Sequence, residues 1–200
     1  MKLVVGLGNP GREYERTRHN LGFMLIDRLF ERAGGHKFGD QAGAKVARVV
    51  IAGQETILAK PQTYMNLSSD SVGPLLQSYG EGKPENLVVA SDDVALPFGM
   101  IRVRARGTAG GQKGLKSIID RLGSLEFVRI RLGAKPDHPV SDLANFVLSP
   151  IPKRDQQLLV DMLDRAADAV EVLLLHGADR AMELFNERIK PPIDIDDVKA

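Results

Sequence analysis

The sequence predicts a single layered α/β domain built on a mixed, largely parallel sheet. Short apolar runs that end at glycine or a polar cluster alternate with segments whose apolar residues recur at helical spacing. The 200 residues are 43% hydrophobic and 26% charged, enough for one core and too apolar for a disordered chain. No uninterrupted apolar run reaches the roughly 18–20 residues that a membrane span needs, so no membrane association is expected. Cysteine is absent, which excludes disulfides, thiolate nucleophiles and cysteine-ligated metals and fits a reducing compartment. The opening M-K-L-V-V-G has neither a long apolar core nor a small-residue cleavage site, so no secretion signal and a cytoplasmic location are expected.

Residues 2–6 form a short apolar run closed by glycine, the pattern of a buried strand. Residues 20–33 place Leu21, Leu25, Ile26, Leu29, Phe30 and Ala33 on one helical face, with Gly34 as the stop. Runs 46–52 and 56–59 flank Gly53-Gln54-Glu55, which reads as a hairpin turn. Ser68 or Ser69 caps a helix extending to Tyr79, in which Gly73-Pro74 predicts a kink or a later start at Pro74. Residues 87–91, 100–106 and 127–132 are strands. Between the last two, a glycine-rich loop (107–114) opens a helix with Leu115, Ile118, Ile119 and Leu122 inward and Gly123 at its end. Residues 153–176 carry Leu158, Leu159, Met162, Leu163, Ala166, Ala169, Val170 and Leu173 at helical spacing, and Gly177 separates them from a last helix, 179–188. The domain is expected to span 1–188, with 189–200 a loose tail.

The net charge of +1 hides an asymmetry. Residues 1–101 balance eleven basic against eleven acidic side chains, whereas residues 102–135 carry nine against two. Such a concentrated surplus is the footprint of a polyanion partner. Arg102, Arg104 and Arg106 follow strand period two, and Arg129 and Arg131 repeat it in V-R-I-R-L. As neighbours, these strands would line one surface with five guanidinium groups, whose planar fork suits phosphate.

Several motifs fail their context. Gly6-Leu7-Gly8-Asn9-Pro10-Gly11 spells a dinucleotide fingerprint, but Pro10 and the polar stretch 12–18 separate it from the next helix, so no helix N-terminus meets a pyrophosphate. The loop G-T-A-G-G-Q-K-G is not a P-loop, since Gln112 stands where glycine is required, although its amides and Lys113 still make an anion site. No histidine pair has metal-ligand spacing and no G-x-S-x-G elbow exists, so neither a metal site nor a serine nucleophile is expected. What remains is His19 at a helix start, where the dipole disfavours its charged form, and Ser91-Asp92-Asp93 at a strand end, where a carboxylate either orients a histidine or caps a turn.

Together these pieces resemble bacterial-type peptidyl-tRNA hydrolases. The matching segments are G-L-G-N-P-G-x-x-Y-x-x-T-R-H-N-x-G, K-P-Q-T-Y-M-N-L-S, S-D-D-V-x-L-P-F-G, A-G-G-Q-K-G-L-K-S-I-I and N-F-V-L-S, in order across nearly the whole chain. The resemblance implies a monomeric α/β domain with a twisted central mixed sheet ringed by helices. It also implies a metal-free, cofactor-free esterase that releases peptides from tRNA that has left the ribosome. It makes His19 the base, Asp92 its orienting acid and Asn9 the residue that separates N-blocked from free aminoacyl groups. It places Tyr14, Tyr64 and Asn66 against substrate, Met65 along the peptide cleft, and Arg104 and Arg131, beside Arg102, on the tRNA 5′-phosphate. Three departures stand out: Gln112-Lys113 where the family has His-Asn, Ser91 where histidine is common, and a shortened turn after Arg131. Lys113 is expected to grip a 3′-terminal phosphate or ribose oxygen. The alternative is an RNA-binding splicing cofactor on the same fold, needing no catalysis; an unrelated small-molecule hydrolase would leave the arginine strands idle.

Overall fold

The structure, a computed structural model, describes residues 1–186. Its strands are β1 (Lys2–Gly6), β2 (Gly39–Gln41), β3 (Ala44–Ile51), β4 (Gln54–Pro61), β5 (Leu87–Pro97), β6 (Ile101–Arg104) and β7 (Val128–Lys135). They form one sheet in the order β2-β3-β4-β1-β5-β7-β6. The four central strands run parallel, and the outer pairings β2–β3, β3–β4 and β6–β7 are antiparallel. The helices are α1 (Leu21–Arg32), α2 (Ser69–Gly80), α3 (Lys113–Leu122), α4 (Leu143–Val147), α5 (Gln156–His176) and α6 (Ala178–Phe185).

Both faces of the sheet are covered, which is why its central strands are apolar on successive residues. Val4, Leu58, Val88, Ala90, Ile130 and Leu132 point to the side packed by α1, α5 and α6. Leu3, Val5, Ile57, Ala59, Leu87 and Val89 point to α2 and α3. The C-terminal ends of β1 and β5 open at one edge, the place where ligands meet parallel α/β sheets.

The start of α1 lies against that edge because glycine permits it. A Cβ on Gly22 would sit 2.4 Å from Leu7 N and 2.5 Å from Ala90 O, atoms of the backbone bond that ties β1 to β5. None of these atoms can swing aside. Gly22→Ala is therefore expected to destabilise the fold by about 3 kcal/mol or more, the upper end of overpacking, read as a fall in the urea midpoint.

Several local expectations are corrected. The β3–β4 turn is the two-residue Ala52-Gly53, both at positive φ (50° and 75°), so Gln54 and Glu55 belong to the ladder, opposite Ile51 and Val50. Helix α2 begins at Ser69 and continues through Pro74; Gly73, lacking a Cβ, removes the clash that a residue before proline usually suffers. Ser68 does not cap it, since its hydroxyl donates to Met65 O instead. Strand β5 runs on through Asp92 and Asp93 to Pro97 rather than turning at Asp92. Leu158 is exposed and lies over Gly99. Helix α6 ends at Phe185; the expected tail and the boundary at residue 188 lie outside the described residues.

The arginine strands are neighbours, with Arg102 opposite Arg131 and Arg104 opposite Arg129, but they do not expose five guanidinium groups. Arg129 is fully buried: it donates to Leu125 O and Phe127 O and lies 4.0 Å over the Phe127 ring. Burial, reinforced by the Arg131 charge, pushes its guanidinium down to about 10. Arg106 lies beyond β6, 3.6 Å from Glu126.

Candidate active site

A cleft of about 820 Å³ opens at the sheet edge, bounded by the β1 loop, the turn at residues 64–66, the end of β5, the glycine-rich loop and α4. His19 reaches it from a short helix, Arg18–Asn20, that leads directly into α1. Its Nδ1 lies 2.9 Å from Asp92 Oδ2, and the two side chains are 15% and 4% exposed. A carboxylate only accepts, so this contact requires a proton on Nδ1, and in the neutral ring it leaves the Nε2 lone pair for the cleft.

The turn carrying His19 is fixed on both sides. Asn20 locks the β1 loop by accepting from Asn9 N (2.9 Å) and donating to Asn9 O (3.0 Å). Thr17 pairs with Pro150, and Ile151 N donates to Arg16 O. Arg18 is buried with its guanidinium 5.1 Å from the Phe98 ring centre and 4.5 Å from that of Phe146, tying the turn to α4. Burial holds that guanidinium below its ordinary range, and Asp155, 3.4 Å away, partly offsets the effect.

Asn9 Oδ1 accepts from Met65 N at 2.9 Å, which sets the turn that presents Tyr64, Met65 and Asn66. Tyr64 and Asn66 are exposed on the cleft and Met65 is buried beneath it. Lys113, first residue of α3, is exposed at the rim. Arg131 also lines the cleft, but its guanidinium is engaged, donating to Asp93 Oδ2 (3.1 Å) and Thr108 O (3.0 Å). Arg104 is exposed on β6 and Arg102 half-buried there. Tyr14 stands on the short helix Arg12–Tyr14, outside the cleft lining. Among the described residues no three His, Asp or Glu side chains cluster as metal ligands. Nor is any helix there long and apolar enough to cross a membrane.

Two contributors escaped the sequence reading. Helix α4, capped by Asp142 accepting from Asn145 N, brings Leu143, Val147 and Leu148 over the cleft. At five residues it is too short for a periodic signal; the D-x-x-N spacing marks its cap, and the N-F-V-L-S match covers its end without revealing a helix. Gln112 contacts Asp92, a partner 20 positions away that no local pattern reveals.

A carboxylate-held imidazole at the end of a parallel sheet, facing an open cleft, is an arrangement that can take a proton from a bound nucleophile. The chain belongs to the peptidyl-tRNA hydrolase family, whose model matches residues 3–192. It is similar to the peptidyl-tRNA hydrolase of Koribacter versatilis, at 46% identity over 96% of both chains. It is 45% identical to that of Desulforamulus reducens, over 94% of this chain and 90% of the relative. Among solved structures, the peptidyl-tRNA hydrolase of Acinetobacter baumannii superposes with a TM-score of 0.85 at 33% identity, over 93% of this chain and 94% of that one. None of these likenesses supports the splicing-cofactor alternative.

Proposed function

We propose that this chain hydrolyses the ester joining a peptide, or another N-blocked aminoacyl group, to the 3′ ribose of tRNA released from stalled or aborted ribosomes. The reading is carried by the 2.9 Å His19–Asp92 pair, which leaves one imidazole nitrogen free at the cleft. His19 Nε2 takes a proton from water as the water attacks the ester carbonyl. Asn66 and amides of the glycine-rich loop meet the oxygen on which charge develops. The reaction proceeds in a cytoplasmic monomer with no cofactor in this scheme.

Asn9 supplies the discrimination, and its geometry refines how. With Oδ1 engaged by Met65 N, the group on offer is its NH₂, a donor with no hydrogen bond among the described residues. It therefore recognises the carbonyl oxygen of the N-acyl group. A free aminoacyl ester has no such oxygen and leaves the nearly buried donor unpaired. Val147, Leu148 and Met65 give the peptide an apolar wall.

Arg104 and Arg102 grip tRNA phosphate, with Lys113 at the 3′ end. Arg131 contributes differently, since it already clamps the glycine-rich loop to β5 through Thr108 O and Asp93. Arg104→Ala is expected to reduce the log–log salt slope of tRNA binding by about 0.7–0.9 with turnover at saturation unchanged. Arg131→Ala is expected to lower turnover as well. Equal slopes for wild type and Arg104→Ala would remove the arginine strand from the tRNA site.

The function is tested by incubating the protein with an N-acetylated aminoacyl-tRNA and with its unblocked counterpart. Release from the first and sparing of the second is expected. Equal cleavage of both, or of neither, would contradict the proposal.

A further inference from the structure

Gln112 touches the base's partner from the side opposite the base. Its Nε2 lies 3.1 Å from Asp92 Oδ1, while His19 holds Asp92 Oδ2. Its Oε1 accepts from Leu115 N at 2.8 Å, capping α3. That cap settles the orientation of the amide. A backbone N–H requires an acceptor, so the oxygen faces α3 and the NH₂ must face Asp92. The same Nε2 lies 3.1 Å from Met65 Sδ, so the side chain is held by three elements at once. Gly114 makes this approach possible, because a Cβ there would stand 3.0 Å from Gln112 Oε1 and 2.7 Å from Met65 Sδ.

We propose that Gln112 is a positioning residue for the proposed hydrolysis: it anchors Asp92 by donating to Oδ1, keeping both carboxylate oxygens as acceptors so that His19 retains its proton on Nδ1 and offers Nε2 as the base. The role rests on the reading of His19 as that base. It assigns a use to the residue that breaks the P-loop pattern. The remaining charged groups on the cleft are Asp93, paired with Arg131, and Lys113. Arg18 and Asp155 lie behind the His19 turn, and none of these five is within hydrogen-bonding distance of an Asp92 oxygen. Among the described residues, Gln112 is thus the side chain besides His19 that hydrogen-bonds the Asp92 carboxylate.

Two substitutions separate anchoring from capping. Gln112→Glu keeps an oxygen for Leu115 N, and its charge suits a helix N-terminus, but it turns the contact with Asp92 from donation to repulsion. Gln112→Ser keeps a good cap and loses the reach. With N-acetylated aminoacyl-tRNA as substrate, both are expected to lower kcat about tenfold, the scale of a lost charge-assisted hydrogen bond, with KM nearly unchanged. The acidic limb of the kcat/KM profile moves to higher pH, further for Gln112→Glu, because added negative charge favours the imidazolium. Thermal stability stays near wild type. His19→Ala is run alongside. If it is inactive while both Gln112 variants keep the wild-type kcat and limb, the anchoring role is wrong and the base assignment stands. If His19→Ala remains active, both fall. A loss of kcat that tracks a loss of stability with an unmoved limb would reduce Gln112 to a helix cap and overturn the proposal.

Discussion

His19→Ala is expected to lower turnover of peptidyl-tRNA by about 10²–10⁴-fold, the range general-base help supplies, with tRNA affinity and melting temperature close to wild type. The ring touches Asp92 and otherwise faces the cleft, so its removal leaves the core intact. The turn that carries it is held by the Thr17–Pro150 bridge, by Asn20 on the Asn9 backbone and by the Phe98–Arg18–Phe146 stack, none of which uses the imidazole. Binding assays on the inactive variant separate chemistry from affinity. A drop in both would mean that His19 serves the fold or the tRNA contact.

Asp92→Asn should be nearly as damaging despite being isosteric, again by about 10²–10⁴-fold. The surroundings decide which way the new amide points. Gln112 offers only N–H toward Asp92 Oδ1, so the asparagine oxygen must turn to Gln112 and its NH₂ toward His19. His19 Nδ1 then accepts, the proton moves to Nε2, and the base is lost with the ring still in place. Single-turnover rates across pH check this: no pH within the stable range should restore wild-type turnover. Near-full activity would show that Asp92 does not set the tautomer.

Much of this was legible in the chain, and what was not shares a cause. Strand β1, helix α1 and the loop around Asn9 follow from apolar period and glycine placement, which are local. The His19–Asp92 contact joins positions 73 apart, so spacing alone could name two candidates but not pair them; the family resemblance did that. Arg129 shows how far period two reaches. It placed the side chain on the correct face of β7 but said nothing of depth, and that face is roofed there by Phe127, with carbonyls to receive the guanidinium. Gln112 read as a failed phosphate-loop glycine because its partners, Asp92 and Met65, arrive from other elements. Pro74 suggested a kink or a later start; α2 begins at Ser69 and passes through it, with Gly73 sparing the clash that a side chain before proline meets.

The central claim is that Asp92 holds the His19 proton on Nδ1, leaving Nε2 open to the cleft to act as the base. The most direct measurement is the tautomer itself, by long-range ¹H–¹⁵N correlation on the histidine rings near neutral pH. The chain has four histidines, and the His19 signals are those missing from His19→Ala. A protonated Nδ1 and an unprotonated Nε2 at His19 are predicted, with that pattern lost in Asp92→Asn. A proton on Nε2 in the wild-type protein would contradict the mechanism.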